Sequence, residues 1–203
     1  MRNLETPAYK LMLYGALGSP GQAILAEALH RQYEATAVLD DLNALRARPG
    51  LRTKVGSLHD PIGVSQSVAG MDGVICLFDE DPASDAEEPF SRRFNALIAL
   101  LDGLETAGVG RLMVVDDFAW LDSGLAPESP VHHLEQRLLA SPVAWTLVQA
   151  PPPAPRPLEV EDFRQAQAEA EPLQRFAGAL LDELGLSLHR HQRIRIDLNG
   201  GKG

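Results

Sequence analysis

"YGALGSPGQ", Tyr14–Gln22, is the stretch on which the reading of the whole chain turns. Gly15, Gly18 and Gly21 spell G-x-x-G-x-x-G between an apolar run, "KLMLY" (Lys10–Tyr14), and a segment in which Ile24, Leu25, Ala28 and Leu29 make one apolar stripe. That is a strand running through a glycine loop into a helix. Glycines let the backbone turn sharply and approach phosphate oxygens closely, and the helix N-terminus supplies free N–H donors and the positive end of a dipole. Ser19 is expected to N-cap the helix, with Pro20 at its first position and Gln22 completing a capping-box spacing. The context is that of a dinucleotide cradle.

Working outward from the loop, short apolar runs alternate with helical patterns. The runs are "EATAVL" (Glu34–Leu39), "LRTKV" (Leu51–Val55), "GVICLF" (Gly73–Phe78), "RLMVV" (Arg111–Val115), "AWTLVQ" (Ala144–Gln149) and "RIRIDL" (Arg193–Leu198). Several are apolar throughout, as strands buried on both faces are. Phe90, Phe94, Leu97, Ile98, Leu101 and Leu104 recur at helical spacing and read as core packing rather than an aromatic cofactor box. The pattern predicts an α/β fold, a doubly wound parallel sheet, in a single domain over residues 1–203. Two segments interrupt it: the acidic "DEDPASDAEE" (Asp79–Glu88) and the stiff "PPPAPRP" (Pro151–Pro157). The stretch after the prolines reads as two helical pieces divided near Pro172.

Composition narrows the partners. A formal charge of −10 over 203 residues repels nucleic acid and anionic membrane surfaces. A single cysteine, Cys76, rules out an internal disulfide and fits a reducing compartment; set in an apolar strand, it reads as an inert core thiol. The opening residues lack a signal pattern, and no apolar stretch nears the roughly 20 residues of a membrane helix. A cytoplasmic protein is expected.

The glycine loop and its surroundings resemble the atypical short-chain dehydrogenase/reductases, in the NAD(P)H-binding branch that holds flavin and biliverdin reductases and the NmrA-like regulators. "KLMLYGALGSPGQAILAEAL" is similar to that family's first strand, loop and helix. "PGLRTKVGSLHDPIGVSQSVAGMDGVICLF" is similar to its third and fourth strands, "LEQRLLASPVAWTLVQAP" to its Trp-Thr stretch, and "LLDELGLSLHRHQRIRIDL" to its last helix and strand. The resemblance spans nearly the whole chain. It implies a Rossmann fold with strand order 3-2-1-4-5-6-7 and a ligand at the carboxyl ends of the strands.

Expected cofactor contacts are then Gly15, Ala16, Gly18, Ser19, Pro20, Gly21, Gln22, Asp40, Ser57, Leu58 and Leu77. Asp40 and Asp41 end the second strand where the family often carries an arginine for a 2′-phosphate. A carboxylate there suits the free ribose hydroxyls of NAD and repels NADP. Asp41 reads equally well as the N-cap of a short helix from Leu42.

Other positions depart from the family's pattern. Gly56-Ser57-Leu58 replaces its Gly-Asp-Leu, and Leu77, Phe78 and Asp79 stand where small residues are usual. Asp116, Asp117, Phe118, Ala119 and Trp120 replace a glycine-rich segment leading to serine, and Gln149 replaces an arginine. The residues 151–175 form a shortened, proline-rich substrate-side segment. Counted back from Glu135, the Tyr-x-x-x-Lys positions fall on Pro127 and Val131, which carry no acidic proton. Asp79 and Asp116 are expected near a dianionic pyrophosphate; at about 8 Å and an effective dielectric near 20, each pair of like charges costs on the order of 2 kcal/mol.

No further constellation competes. His132 and His133 are adjacent and diverge by about 100° on a helix, and His189 and His191 read as surface residues. Ser123 and Ser129 lack a nucleophile-elbow pattern, and the carboxylates lack a metal-loop spacing, so no metal is assigned. Catalytic residues stay unassigned. The expected function is a reductase-like protein that has lost ordinary catalytic machinery and binds NAD(H) weakly, or in a regulatory, sensing or interaction role. Two alternatives stand beside it: an NAD(P)H-dependent flavin or quinone oxidoreductase, and a protein-interaction scaffold that binds no cofactor. A dinucleotide or small molecule, a protein partner and a homo-oligomer are all open as partners; nucleic acid and membrane are not expected.

Overall fold

A computed structural model describes residues 8–78, 89–121, 129–151 and 163–198, with residues 89, 90 and 163–170 described by their backbone alone. Seven parallel strands form one sheet in the order β3-β2-β1-β4-β5-β6-β7, as the family resemblance implied. They are β1 (Lys10–Tyr14), β2 (Glu34–Leu39), β3 (Leu51–Val55), β4 (Gly73–Leu77), β5 (Arg111–Asp116), β6 (Ala144–Gln149) and β7 (Gln192–Ile194). The order reverses between β1 and β4, and a crevice opens beyond the carboxyl ends at that switch point.

Alternation along β1 shows how the sheet is covered. Leu11 and Leu13 face one layer, Met12 and Tyr14 the other. On the first side lie α1 (Ser19–His30) and α5 (Phe163–Leu186), whose Ile24, Leu25, Phe176 and Leu180 are buried against the strands. On the second side lie α2 (Pro61–Val68), α3 (Pro89–Ala107) and α4 (Pro130–Ala140), contributing Val64, Leu97, Leu101 and Leu134. At roughly 25 cal/mol per Å² of apolar surface removed from water, these two layers supply the main drive to fold. Cys76 is fully buried in the second layer.

Three local expectations need correction. The last strand pairs only over Gln192–Ile194, opposite Thr146–Val148, so the Arg193–Leu198 expectation ran past the end of the ladder. Helix α5 runs unbroken through Pro172. A proline there forfeits one backbone hydrogen bond, and burial of Phe176, Ala177, Leu180, Leu181 and Leu184 just beyond it outweighs that loss. Helix α1 begins one residue earlier than the capping box required. Gly18 is its N-cap, no side-chain cap bond forms, and Gln22 Nε2 donates to the Ala16 carbonyl at 3.0 Å instead of reaching Ser19. The Asp41 cap does form: its Oδ1 accepts from Asn43 N at 2.9 Å before a short 3₁₀ turn at Leu42–Ala44.

Candidate functional site: a dinucleotide crevice

The glycine loop is built for close approach. Gly15 sits at φ +77°, a conformation costly for a side chain, and a Cβ there would come within 2.5 Å of the Leu77 carbonyl oxygen. A Cβ on Gly21 would overlap the carbonyl oxygen of Gly15 and press on the Ala16 backbone. The loop and the first turn of α1 are thus folded onto each other with no room for side chains at either glycine. This packing holds the N-terminus of α1 against the end of β1.

Above the loop lies a crevice of about 630 Å³. Of the eleven expected cofactor contacts, Gly15, Ala16, Asp40, Ser57, Leu58 and Leu77 line it. Gly18, Ser19, Pro20, Gly21 and Gln22 do not; they build the loop and the helix start behind it. Asp40 is exposed just beyond the end of β2 and lines the crevice. Ser57 stands on the turn after β3, with its Oγ accepting from His59 N at 3.1 Å. Leu77 backs onto Gly15, and with Phe78 it gives the crevice an apolar wall.

Asp116 differs from the expectation. It was placed at the mouth as a repelling charge, but it is 4% exposed and does not line the crevice. Its Oδ2 accepts from the indole Nε1 of Trp120 at 2.5 Å and lies 3.1 Å from Nε of Arg93. Burial pushes the Asp116 carboxyl above the usual carboxylate range, while the Trp120 hydrogen bond and the Arg93 charge pull it back. The turn that follows is tied down at each end. Ala150 N donates to Asp116 O at 2.8 Å, Gln149 Nε2 donates to Asp117 O at 3.0 Å, and the Arg193 guanidinium lies 5.2 Å from the centroid of the Phe118 ring. Phe118 itself is fully buried at φ +57°, so packing holds a backbone conformation that its side chain disfavours. Asp79 lies outside the described residues, as does Pro127; Val131 is buried in α4.

Sequence reading missed the cations of the site. Arg92 and Arg93, near the start of α3, line the crevice. The signal was present as the doublet in "SRRF" (Ser91–Phe94), but the segment was read only for its apolar stripe. Tyr14 also lines the crevice; its hydroxyl is buried near Ser67, and burial raises its pKa well above the usual phenol value.

His59, on the turn after β3, lines the crevice, while the histidines singled out from the sequence do not. His132 is 4.0 Å from Glu135 on α4, His189 Nδ1 is 2.8 Å from Glu183, and His191 Nε2 is 2.9 Å from the Val143 carbonyl oxygen. Ser129 is the N-cap of α4, its Oγ accepting from His132 N at 3.2 Å. Among the described residues no three of His, Cys, Asp or Glu gather as a metal site would require.

Comparison with known proteins places this geometry. A family model described as NAD(P)H-binding matches residues 15–154, from the first glycine of the loop to beyond β6. The chain belongs to the NAD(P)H-binding family. Solved structures share the fold at low identity. A Rossmann-fold NAD(P)-binding family protein from Shigella flexneri is 15% identical, with a TM-score of 0.66 and 97% of each chain covered. A short-chain dehydrogenase/reductase from Veillonella parvula is 16% identical, with a TM-score of 0.63 and 96% of each chain covered. The enzyme WbmH from Bordetella bronchiseptica, solved in complex with NAD+, is 16% identical with a TM-score of 0.64; the match covers 94% of this chain and 76% of that one. Among its described residues no helix is long and apolar enough to cross a membrane.

Proposed function

We propose that the crevice binds NAD(H) in preference to NADP(H), and that the protein reads the dinucleotide as a cytoplasmic sensor or interaction partner without carrying out proton-coupled hydride transfer. One observation carries the reading: the loop is intact, while the crevice wall offers no placed proton donor among its described residues. Ser57 and His59 stand on the β3 turn, at the end where the adenosine half of a dinucleotide lies. Tyr14 is held neutral by burial, with no lysine beside it on the crevice wall. The Asp116 carboxylate is committed to Trp120 and Arg93. Asp40 supports NAD over NADP, because its charge would oppose a 2′-phosphate.

A second reading keeps an activity. Hydride passes directly between stacked nicotinamide and flavin or quinone rings, so an NADH-dependent flavin or quinone reductase needs no tyrosine–lysine pair. The apolar wall of Leu77 and Phe78 supports that option.

Calorimetric titration with NADH and NADPH, followed by a flavin-reduction assay, separates these readings. NADH binding without turnover upholds the sensor, and turnover transfers the assignment to the reductase. Binding of neither cofactor would leave the crevice as scaffold only.

A further inference from the structure

Arg92 and Arg93 both line the crevice, yet their situations differ. Arg93 Nε is committed to Asp116 Oδ2 at 3.1 Å, so that charge is balanced within the fold. Arg92 Nε is closed off from solvent with no hydrogen-bond partner, and no salt bridge to Arg92 forms among the described residues. A guanidinium stays charged at any physiological pH and presents five donors on a planar fork. Such a fork is matched best by an oxyanion, whose two oxygens meet it in parallel hydrogen bonds.

The sheet order says where along the crevice this charge lies. Asp40 ends β2, Gly15 follows β1, Leu77 ends β4 and Asp116 ends β5, in that spatial sequence. Through its pair with Asp116, Arg93 marks the β4–β5 side, across the glycine loop from Asp40. A dinucleotide with its ribose at Asp40 and its pyrophosphate on the loop extends its nicotinamide half to that side.

We infer that Arg92 holds the anionic group of a second molecule, a carboxylic acid or phosphate ester that lies beside the nicotinamide half of the bound dinucleotide. Arg93 is a positioning residue: its pair with Asp116 balances that carboxylate, which then does not oppose an anion at Arg92. The inference rests on the NAD(H) reading of the crevice. The dinucleotide's own phosphates present the same chemistry to Arg92, and the experiment tells the two sources apart.

Malonate and glycerol 3-phosphate are titrated into the NADH-saturated full chain, and NADH and ADP-ribose into the unloaded chain, for wild type, Arg92→Ala and Arg92→Lys, with a thermal melt of each. The expected result is that Arg92→Ala weakens at least one anion probe tenfold or more, that Arg92→Lys restores part of it, and that NADH affinity changes less than threefold. Unchanged anion binding in Arg92→Ala, or no anion binding by wild type, overturns the inference. A tenfold loss for NADH and ADP-ribose with anion probes unaffected also overturns it, by assigning Arg92 to the cofactor's phosphates. If NADH fails to bind wild type, the proposed function falls on its own. Malonate binding to the unloaded chain that vanishes in Arg92→Ala would then still uphold an anion site at Arg92, and equal binding by both would overturn it.

Discussion

Arg93 Nε and the Trp120 indole N–H converge on one oxygen of Asp116, at 3.1 and 2.5 Å. The carboxylate that the sequence set against a pyrophosphate is therefore spent inside the wall, and its arginine partner faces the crevice. Among the described residues, the charge expected to repel at this end is balanced by Arg93. Asp116→Ala should then leave NADH affinity unchanged or lower and should not raise it. The substitution strands an indole N–H and a partly buried guanidinium, a loss on the order of 3 kcal/mol. Urea unfolding measures the stability, and calorimetry the affinity. A tighter NADH complex in Asp116→Ala would revive the repulsion argument.

Gly21 tests the loop as a packed joint. Because a Cβ there would overlap the Gly15 carbonyl oxygen, Gly21→Ala must push the loop away from the helix start. Overpacking of this kind costs about 1–3 kcal/mol. Displacement of the loop should reduce NADH affinity at least tenfold, while far-ultraviolet circular dichroism stays that of the wild type. Full NADH affinity in a folded Gly21→Ala protein would mean that the dinucleotide does not depend on this loop.

Asp40 tests cofactor choice. It is exposed, so water screens it, and its repulsion of a 2′-phosphate is worth about 1 kcal/mol at a few ångströms. That predicts a preference for NADH over NADPH of several-fold to tenfold in wild type. Asp40→Arg should reverse the preference by adding an attraction of similar size. Equal affinities for the two cofactors in wild type would remove Asp40 from the site.

How much of this was legible follows from the range of each interaction. Strand and helix positions were readable because β1, β2 and β4–β6 are apolar runs buried on both sides, and a buried run needs no partner identified in advance. The glycine loop was readable because its requirement is local: turn, close approach, helix start. Asp116 was misread because its neutrality comes from Arg93, 23 positions earlier, and from an indole four positions later across a left-handed Phe118. Arg92 was missed for the same reason. An arginine at a helix start is usually solvated, and only the packing of α3 beside the switch point brings this one into the crevice. The loop's own requirements were legible; pairing across the fold was not, nor was the shift of the α1 cap from Ser19 to Gly18.

Far from the crevice, at the amino end of β5, Arg111 is buried and bonded to the Ala144 carbonyl and Thr146 Oγ1, each at 2.8 Å, and lies 3.3 Å from Glu183 Oε1. Glu183 in turn accepts from His189 N at 2.8 Å, with His189 Nδ1 2.8 Å from its other oxygen. Burial pushes the Glu183 carboxyl up, but the His189 hydrogen bonds and the His189 and Arg111 charges prevail and leave it below its ordinary value of 4.5. A carboxyl depressed in the folded state contributes stability above its unfolded pKa and loses it as pH falls through the folded value. Glu183→Gln removes the charge opposite buried Arg111 and should cost on the order of 3 kcal/mol at pH 7. The gap between variant and wild type should then narrow as pH falls below the ordinary carboxyl value of 4.5 and through the depressed folded value. Urea unfolding of both proteins from pH 7 to pH 3 measures it. A gap that stays constant across that range would show that Glu183 stabilises the fold by shape rather than by its charge.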